Sequence, residues 1–284
     1  MTNEHRQGQV IATIRSLLPS LLPTEQAVAA VFLARSTEII ELSSQQVAEL
    51  AGASRATVVR TCQSLGFSGY QQLRVLLARD ASLESPRQPV PAGGDGIVRE
   101  TFRHVADTVN GMTALLDDSE VTRALGELET AGRVVVIGNG LSASLATDFA
   151  ARLTSIGRHA ESPLDPIGQQ ITARLLTADD VLVVISGSGA TLSTLRTAEA
   201  AREAGAAVIA ITAFARSPLT QVATLCLVVT MPDLTFRDEI TLTSRLPQAI
   251  LIEGIVAALS HHLGESAARA KGLLLDVISN NLAE

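Results

Sequence analysis

The chain has 284 residues, of which 46% are hydrophobic and 18% charged, and its formal net charge at pH 7 is −7. This composition favours a well-buried core over disorder, and the length allows one large domain or two ordinary ones. Aromatic residues make up 2% of the chain, which argues against recognition of bases by stacking. Cys62 and Cys226 lie far apart in sequence and support neither a disulfide framework nor a metal site.

The sequence also bears on location. Residues 1–10 lack the pattern of a signal peptide, and no apolar run reaches the length of a membrane-spanning helix. We therefore expect a cytoplasmic protein without a membrane partner.

Basic and acidic residues are unevenly distributed. Residues 1–90 contain eight Arg against seven Asp or Glu, whereas the rest of the chain contains fourteen basic and twenty-two acidic residues. Four arginines and no acidic residue occur between Ser54 and Arg79, namely Arg55, Arg60, Arg74 and Arg79. A local basic patch on an acidic protein is typical of a protein in which one module contacts the nucleic-acid backbone.

Helical spacing of apolar residues predicts an all-α domain over residues 1–80. Helices are expected at about 9–22, 25–34, 44–51 and 54–65. Ala48, Gly52 and Val58 have the small, turn and core positions that a helix-turn-helix requires.

The outer face of the second helix of this motif would meet DNA. The residues predicted there are Ser54, Arg55, Thr57, Arg60 and Ser64. Arg pairs bidentately with guanine, and Ser and Thr reach phosphates or base edges. On the pattern alone, a plain helical hairpin with a solvated basic face is the alternative.

Two strings in this region are distinctive. Residues 54–60 read SRATVVR and residues 65–70 read LGFSGY, and together they closely resemble the DNA-binding domain of RpiR-type transcriptional regulators. The resemblance implies that operator DNA is a partner.

Residues 81–96 contain three prolines and three glycines without apolar periodicity, which predicts a linker. From residue 97 to 284 we expect an α/β three-layer domain. Helices at 97–116 and 120–130 precede a five-stranded parallel sheet, because buried apolar runs then alternate with helical segments. The strands are expected at 134–137, 159–161, 181–185, 207–211 and 224–229.

Two loops of small residues follow the first and third of these strands. Residues 186–191, SGSGAT, lead into a helix, where unpaired N–H groups and the helix dipole favour a phosphate. An ordinary turn in which Ser and Thr cap the helix is the alternative. The ending Gly-Lys-Ser/Thr of a nucleotide P-loop is absent from this loop.

The two loops together resemble those of the SIS, or sugar isomerase, domain. The matching residues are Gly138, Gly140 and Ser142 in the first loop and Ser186, Ser188, Gly189 and Thr191 in the second. The resemblance implies that Ser186, Ser188 and Thr191 hold the phosphate of a sugar, with Ser142 on the sugar side. Gly140, Gly187 and Gly189 complete the predicted ligand-binding residues of the two loops. Asp165 is a candidate acceptor for a sugar hydroxyl or, equally, a helix-capping residue.

Two enzymes are the alternatives to a sensor. Gly138, Gly140 and Ala143 fit G-x-G-x-x-A, and Glu161 has the spacing of a ribose-binding carboxylate, so a nicotinamide-dependent enzyme is one. A phosphosugar isomerase that uses Glu161 or Asp165 as base is the other. The accompanying helix-turn-helix favours binding without turnover, and we expect no catalytic residue, cofactor or metal.

A long apolar helix is expected at 241–263. It is covered either within one chain or by a second copy, and a homodimer or homotetramer would supply paired DNA-reading heads. The sequence thus predicts a regulator in which phosphosugar binding changes the spacing of those heads.

Overall fold

The computed structural model describes residues 9–81, 94–231 and 244–282. These residues form two compact units, and the chain passes from the first to the second between Glu100 and Thr101. Most of the predicted linker lies outside the described residues, while Gly94 and the residues after it already belong to a helix. The linker bounds at 81 and 96 therefore stay predictions.

The first unit contains five helices before residue 82. They are α1 (Gln9–Leu17), α2 (Pro23–Ala34), α3 (Ser44–Leu50), α4 (Arg55–Ser64) and α5 (Tyr70–Ala81). A single 3₁₀ turn, Leu18–Ser20, ends α1 at the proline that interrupts it. Phe32, Ile14 and Leu73 are fully buried in one apolar cluster to which all five helices contribute.

Helices α3 and α4 form the expected helix-turn-helix. Ala48 and Val58 are buried where the two helices pack. Gly52 in the turn has a φ of +60°, a conformation that glycine adopts without steric strain. The amide of Ala53 donates to the carbonyl of Ala48 at 2.8 Å and closes the end of α3.

Helices α6 and α7 precede the sheet of the second unit. Helix α6 (Gly94–Thr108) is followed by a short 3₁₀ segment, and α7 spans Asp118–Thr130. The strands are β1 (Val134–Gly138), β2 (Ala160–Glu161), β3 (Val181–Ile185), β4 (Ala207–Thr212) and β5 (Leu225–Val228). The intervening helices are α8 (Ala143–Ser155), α9 (Pro166–Arg174), α10 (Leu192–Glu203) and α11 (Pro218–Val222).

All four strand pairings are parallel, and the strand order is β2-β1-β3-β4-β5. Alternate side chains of the strands point to opposite faces of the sheet and belong to two apolar clusters. One contains Val134 and Val136 with α7, α8 and α12 (Leu246–Leu263), and the other contains Val135 and Ile137 with α9, α10 and α11. Both faces of the sheet are covered, so the predicted three-layer domain is confirmed.

One side of helix α12 is buried inside this unit. Ile252, Ile255 and Leu259 are fully or almost fully buried in the cluster with α7 and α8. By length and composition alone this helix would also suffice to cross a membrane, and a third of it is buried inside the protein. A last helix, α13, spans Glu265–Ser279.

Candidate functional site

The two loops predicted to bind a ligand follow neighbouring strands. Gly138, the last residue of β1, is paired with Ile185, the last residue of β3. Helix α8, which follows β1, and helix α10, which follows β3, cover opposite faces of the sheet. The connections therefore diverge between β1 and β3, and the crevice at such a switch point is where open α/β sheets bind ligands.

The loop between β3 and α10 turns carbonyl oxygens into the protein. The Gly187 carbonyl accepts from the amide of Ala213 and from the hydroxyl of Thr212, both at 3.0 Å. The Gly189 carbonyl accepts from the amide of Leu219 at 2.9 Å. The C=O and N–H of a trans peptide point in opposite directions. The amides of Ser188 and Ala190, which share peptide bonds with these two carbonyls, therefore point away from Ala213 and Leu219.

Several amides at the start of α10 have no partner among the described residues. They are the N–H groups of Gly187, Ser188, Thr191, Leu192, Ser193 and Thr194. Thr191 holds the N-cap position, yet its side chain makes no capping hydrogen bond. The interpretation of this loop as an ordinary turn with Ser and Thr caps is therefore wrong at Thr191. Unpaired amides and the positive end of the helix dipole together favour a bound anion.

Serine hydroxyls occur in both loops. Ser186 and Ser142 are only 6% and 2% exposed, and neither hydroxyl is hydrogen-bonded to a described residue. Ser188 is half-buried, and its Oγ lies 3.4 Å from the amide of Ala190, which donates to it. These hydroxyls are donors that an oxyanion or a sugar would satisfy.

The two loops need glycine at three positions, for lack of space or for backbone conformation. A Cβ on Gly189, where φ is +60°, would lie 2.2 Å from Oγ of Ser217. A Cβ on Gly138 would lie 2.4 Å from the carbonyl oxygen of Ser142. Gly140 has a φ of +58° but open space around it. Glycine is thus needed at 138 and 189 for space, and at 140 for the backbone conformation alone.

Asp165 is the N-cap of α9. Its Oδ1 accepts from the amides of Ile167 at 3.0 Å and Gly168 at 2.8 Å, and a Cβ on Gly168 would lie 2.5 Å from its Oδ2. This geometry is the capping alternative that the sequence left open. A contact between Asp165 and a sugar hydroxyl stays a prediction, and the cap already uses one carboxylate oxygen.

The sequence did not single out a buried amide network beside the crevice. Nδ2 of Asn139 donates to Oε1 of Gln169 at 3.0 Å and to Oγ1 of Thr194 at 2.9 Å. Nε2 of Gln169 donates to the carbonyl of Pro163 at 3.0 Å. The network joins the first loop to the starts of α9 and α10, and Gln169 and Thr194 are buried.

The geometry disfavours a Rossmann dinucleotide site. The order β2-β1-β3-β4-β5 is the flavodoxin-like order, whereas the Rossmann sheet has two βαβαβ halves. Glu161, the proposed ribose ligand, forms an ion pair with Arg133 at 2.5 Å. The ribose-binding role of Glu161 is therefore not supported.

The outer face of α4 presents two exposed arginines, Arg55 and Arg60. Ser54 is the N-cap of α4, and its Oγ accepts from the amide of Thr57 at 3.1 Å. A guanidinium nitrogen of Arg60 donates to Oγ1 of Thr57 at 3.3 Å. The other exposed side chains of this face are Ala56, Gln63 and Ser64.

Two residues predicted on the outer face of α4 have partners within the unit, and one of them, Thr57, is buried rather than exposed. Thr57 is only 7% exposed and is held by Ser54 and Arg60. The hydroxyl of Ser64 donates to Oε1 of Glu25 on α2 at 3.0 Å. Contacts of any of the five predicted residues with DNA stay predictions.

Arg74 is not part of an exposed basic patch. It is buried and its Nε donates to the carbonyl of Ile40, while the hydroxyl of Tyr70 donates to the carbonyls of Ile39 and Leu42. Burial lowers the pKa of the Arg74 guanidinium. These two side chains attach α5 to the turn before α3, and the side chain of Arg79 lies outside the described part of the chain.

Comparison with known proteins agrees with both units. Residues 8–84 match the helix-turn-helix domain of the rpiR family, and residues 127–252 match the SIS domain. The chain is 30% identical over 259 residues to the HTH-type transcriptional regulator HexR of Pseudomonas aeruginosa, with 90% of each chain covered.

Two solved structures share the fold. The NanR protein of Vibrio vulnificus, solved in complex with ManNAc-6P, has a TM-score of 0.77 at 23% identity and covers 97% of this chain and 100% of its own. The sugar isomerase domain of an RpiR transcription factor from Sphaerobacter thermophilus has a TM-score of 0.56 at 19% identity. It covers 64% of this chain and 98% of its own.

Proposed function

This chain belongs to the rpiR family of helix-turn-helix transcriptional regulators, and from that premise we propose that a phosphorylated sugar bound at the start of α10 controls its hold on operator DNA. One observation carries the proposal. The amides from Gly187 to Thr194 that lack a described partner lie beside the hydroxyls of Ser186 and Ser188. Each terminal oxygen of a phosphate monoester accepts more than one hydrogen bond, so one phosphate can satisfy several of these donors.

The sugar would extend toward the first loop. The buried hydroxyl of Ser142 and the Asn139–Gln169–Thr194 network border the crevice on that side. Polar groups of this kind recognise hydroxyls through hydrogen bonds, and they discriminate among sugars because an unmatched buried donor costs free energy. The NanR structure with ManNAc-6P favours a phosphosugar as the ligand class.

We further propose that the protein binds the sugar phosphate without converting it. An aldose–ketose isomerisation needs a base near the substrate carbon. Glu161 is paired with Arg133, and Asp165 caps α9. Relatives are named as transcriptional regulators, which favours a cytoplasmic DNA-binding protein over an enzyme.

Control of DNA binding would follow from linkage. A ligand that binds one arrangement of two paired chains more tightly shifts the population toward that arrangement. A homo-oligomer with two recognition helices would then lose or gain the spacing that a two-fold operator requires.

Gel shifts with a DNA fragment selected from random sequence by the wild-type protein test this proposal. A panel of hexose and pentose phosphates should contain a compound that changes the wild-type affinity for this fragment. S188A should keep its DNA affinity and need about 10- to 100-fold more of the compound for the same response. If S188A responds like wild type, the phosphate site is elsewhere. Sustained turnover in an aldose–ketose assay would favour the isomerase instead.

A separate variant tests the proposed contact of α4 with DNA. R60A should weaken binding to the selected fragment by about 10-fold or more, because a base or phosphate contact of Arg contributes about 1–3 kcal/mol. R35A is the control, since Arg35 is an exposed arginine of the same unit that pairs with Glu38. Equal gel shifts for R60A and wild type would remove Arg60 from the interface.

A further inference from the structure

The C-terminal part of α13 presents an apolar surface without cover. Every residue from Lys271 to Leu282 is exposed. The large apolar side chains of this stretch that belong to α13 are Leu273 (64% exposed), Leu274 (40%), Leu275 (64%), Val277 (61%) and Ile278 (43%). Leu274 lies three and four positions before Val277 and Ile278, and Leu273 lies four positions before Val277, so these side chains are neighbours on one side of the helix.

Among the described residues, contacts anchor the start of α13 in its own unit but not its C-terminal part. Ala267 is buried in the main cluster, and Ala270 lies against Gly157 at the end of α8. Nζ of Lys271 donates to the hydroxyl of Ser260 on α12 at 2.7 Å. Short isolated helices are marginal in water, so the two turns after Lys271 depend on packing that the described residues of the same chain do not supply.

An apolar groove lies elsewhere in the same unit. It has a volume of about 320 Å³ and lies between α12, α7 and the 3₁₀ segment after α6, and its lining includes Ile250, Leu251, Gly254, Leu125 and Met112. No residue of α13 lines it. A Cβ on Gly254 would meet nothing within 4 Å, so another helix has room to approach α12 closely at this point.

We propose that α13 of each chain docks in this groove of a second copy, so that two chains exchange their C-terminal helices about a two-fold axis. The groove has room for about two leucine-sized side chains, since a cavity of roughly 150 Å³ holds one benzene. The face formed by Leu274 and Ile278 with their neighbours provides such side chains. This inference rests on the pairing of chains in the proposed function and names the surfaces that form the pair.

Surface area supports a second copy as the occupant. Five large side chains at these exposures form an apolar patch on the order of several hundred Å², a size at which exposed patches mark contact sites. In a two-fold dimer the contact between helix and groove occurs twice, once in each direction. This doubling brings the total buried surface toward the roughly 1,200–2,000 Å² of stable interfaces.

The test is the molar mass of the full-length protein, measured by sedimentation velocity over a concentration series. Wild type should be at least dimeric. L274D on the helix and I250D on the groove should each weaken self-association by about 30-fold or more, the loss expected when a central contact is disrupted. Circular dichroism checks that both variants are folded.

L175D is the matched control, because Leu175 is a 67% exposed apolar residue at the end of α9. It should self-associate like wild type. A dimer that withstands both L274D and I250D, or that dissociates with L175D instead, would overturn the proposed surfaces.

A cross-link decides which chain fills the groove. Size-tagged G254C chains are mixed with untagged L274C chains, with Cys62 and Cys226 replaced by Ala in both, and oxidised. A disulfide between a tagged and an untagged chain is expected. Its absence, together with a disulfide inside single chains of the G254C/L274C double variant, would place α13 in its own groove.

These results are separable from the proposed function. A wild-type protein that is monomeric at all concentrations would refute the pairing itself. A wild-type dimer that is unchanged in L274D and I250D would refute only the exchanged helices. Phosphosugar binding at α10 is measured independently in each variant by thermal shift, and L274D should retain it.

Discussion

Helices α9 and α10 pack side by side on one face of the sheet, yet their N-termini are built differently. Helix α9 is closed by its own carboxylate, because Asp165 accepts from two first-turn amides. Helix α10 begins at Thr191, whose side chain makes no cap, and its first amides have no described partner. This fold can therefore cap a helix with an acidic side chain, but α10 has Thr191 instead of an acid at its N-cap.

The N-termini of α11 and α8 differ in the same way. Ser217 caps α11, whereas α8 begins at Ser142 without a side-chain cap. Among α8 to α11, the two helices without a side-chain cap are the two that follow β1 and β3, where the switch point lies. We infer that the missing caps are supplied by a ligand, with the phosphate at α10.

Giving α10 the cap of α9 should have the largest effect. In T191D a carboxylate would occupy the N-cap position and accept from the amides that we assign to the phosphate. Phosphosugar binding should be abolished by occupation and by repulsion, while the free energy of unfolding without ligand should rise by about 1 kcal/mol. Calorimetric titration and thermal melts measure both.

T191V is the control for this prediction, because it removes the hydroxyl without adding charge. It should bind the phosphosugar more weakly than wild type but measurably. Undiminished binding by T191D would mean that the anion does not lie at the start of α10.

Filling the space at Gly189 should have the next largest effect. In G189A the new Cβ would collide with Ser217, so the loop must shift. A displacement of about 1 Å at a binding site can reduce function about 100-fold, and we expect a loss of affinity of that order by calorimetry.

G140A separates collision from backbone strain. Gly140 has nearly the same φ as Gly189 but nothing within 4 Å of an added Cβ. It should therefore lose stability, by about 1 kcal/mol, while changing phosphosugar affinity much less than G189A. Equal losses of affinity in both variants would show that Ser217 does not position the loop.

Removing single hydroxyls should have a moderate effect. S186A and S188A each delete one donor to a charged phosphate, and such hydrogen bonds contribute about 1.5–3 kcal/mol. We expect affinity to fall by about 10- to 100-fold in each. S155A, at the end of α8, is the control and should bind like wild type.

Removing the cap of α9 should have the smallest effect on the ligand. D165A should lower the free energy of unfolding by about 0.5–2 kcal/mol, the usual loss for an N-cap, which thermal melts will detect. Phosphosugar affinity should change less than about 3-fold. A loss above 10-fold would instead support Asp165 as an acceptor for a sugar hydroxyl.

Patterns within short segments predicted most of the fold. The strands and helices of the second unit follow from apolar periodicity, and the helix-turn-helix follows from Ser54, Gly52 and Val58. The strand order did not follow, because periodicity does not record which strands are neighbours. It was the order that made the crevice between β1 and β3 recognisable.

Site residues were harder to predict where their partners are distant in sequence. Ser64 donates to Glu25, 39 residues away, and Arg74 donates to Ile40, 34 residues away. Helical spacing placed Ser64 on the DNA-facing side of α4, and composition placed Arg74 in a basic patch, because neither signal records a partner so distant in sequence. Gln169 was missed because a glutamine on a helix gives no signal until its burial beside Asn139 is known. Cys62 is an apolar core residue of the first unit, and burial raises the pKa of its thiol to about 12.

The most direct measurement of the central claim is the melting temperature of the full-length protein with sugar phosphates and with the same sugars lacking phosphate. At 100 times the dissociation constant a ligand adds about 2.7 kcal/mol, so at least one phosphate ester should raise the melting temperature by roughly 5–10 °C. The parent sugar should not, and S188A should largely lose the rise. A panel in which no phosphate ester stabilises the protein, or in which S188A keeps the full shift, would contradict the account.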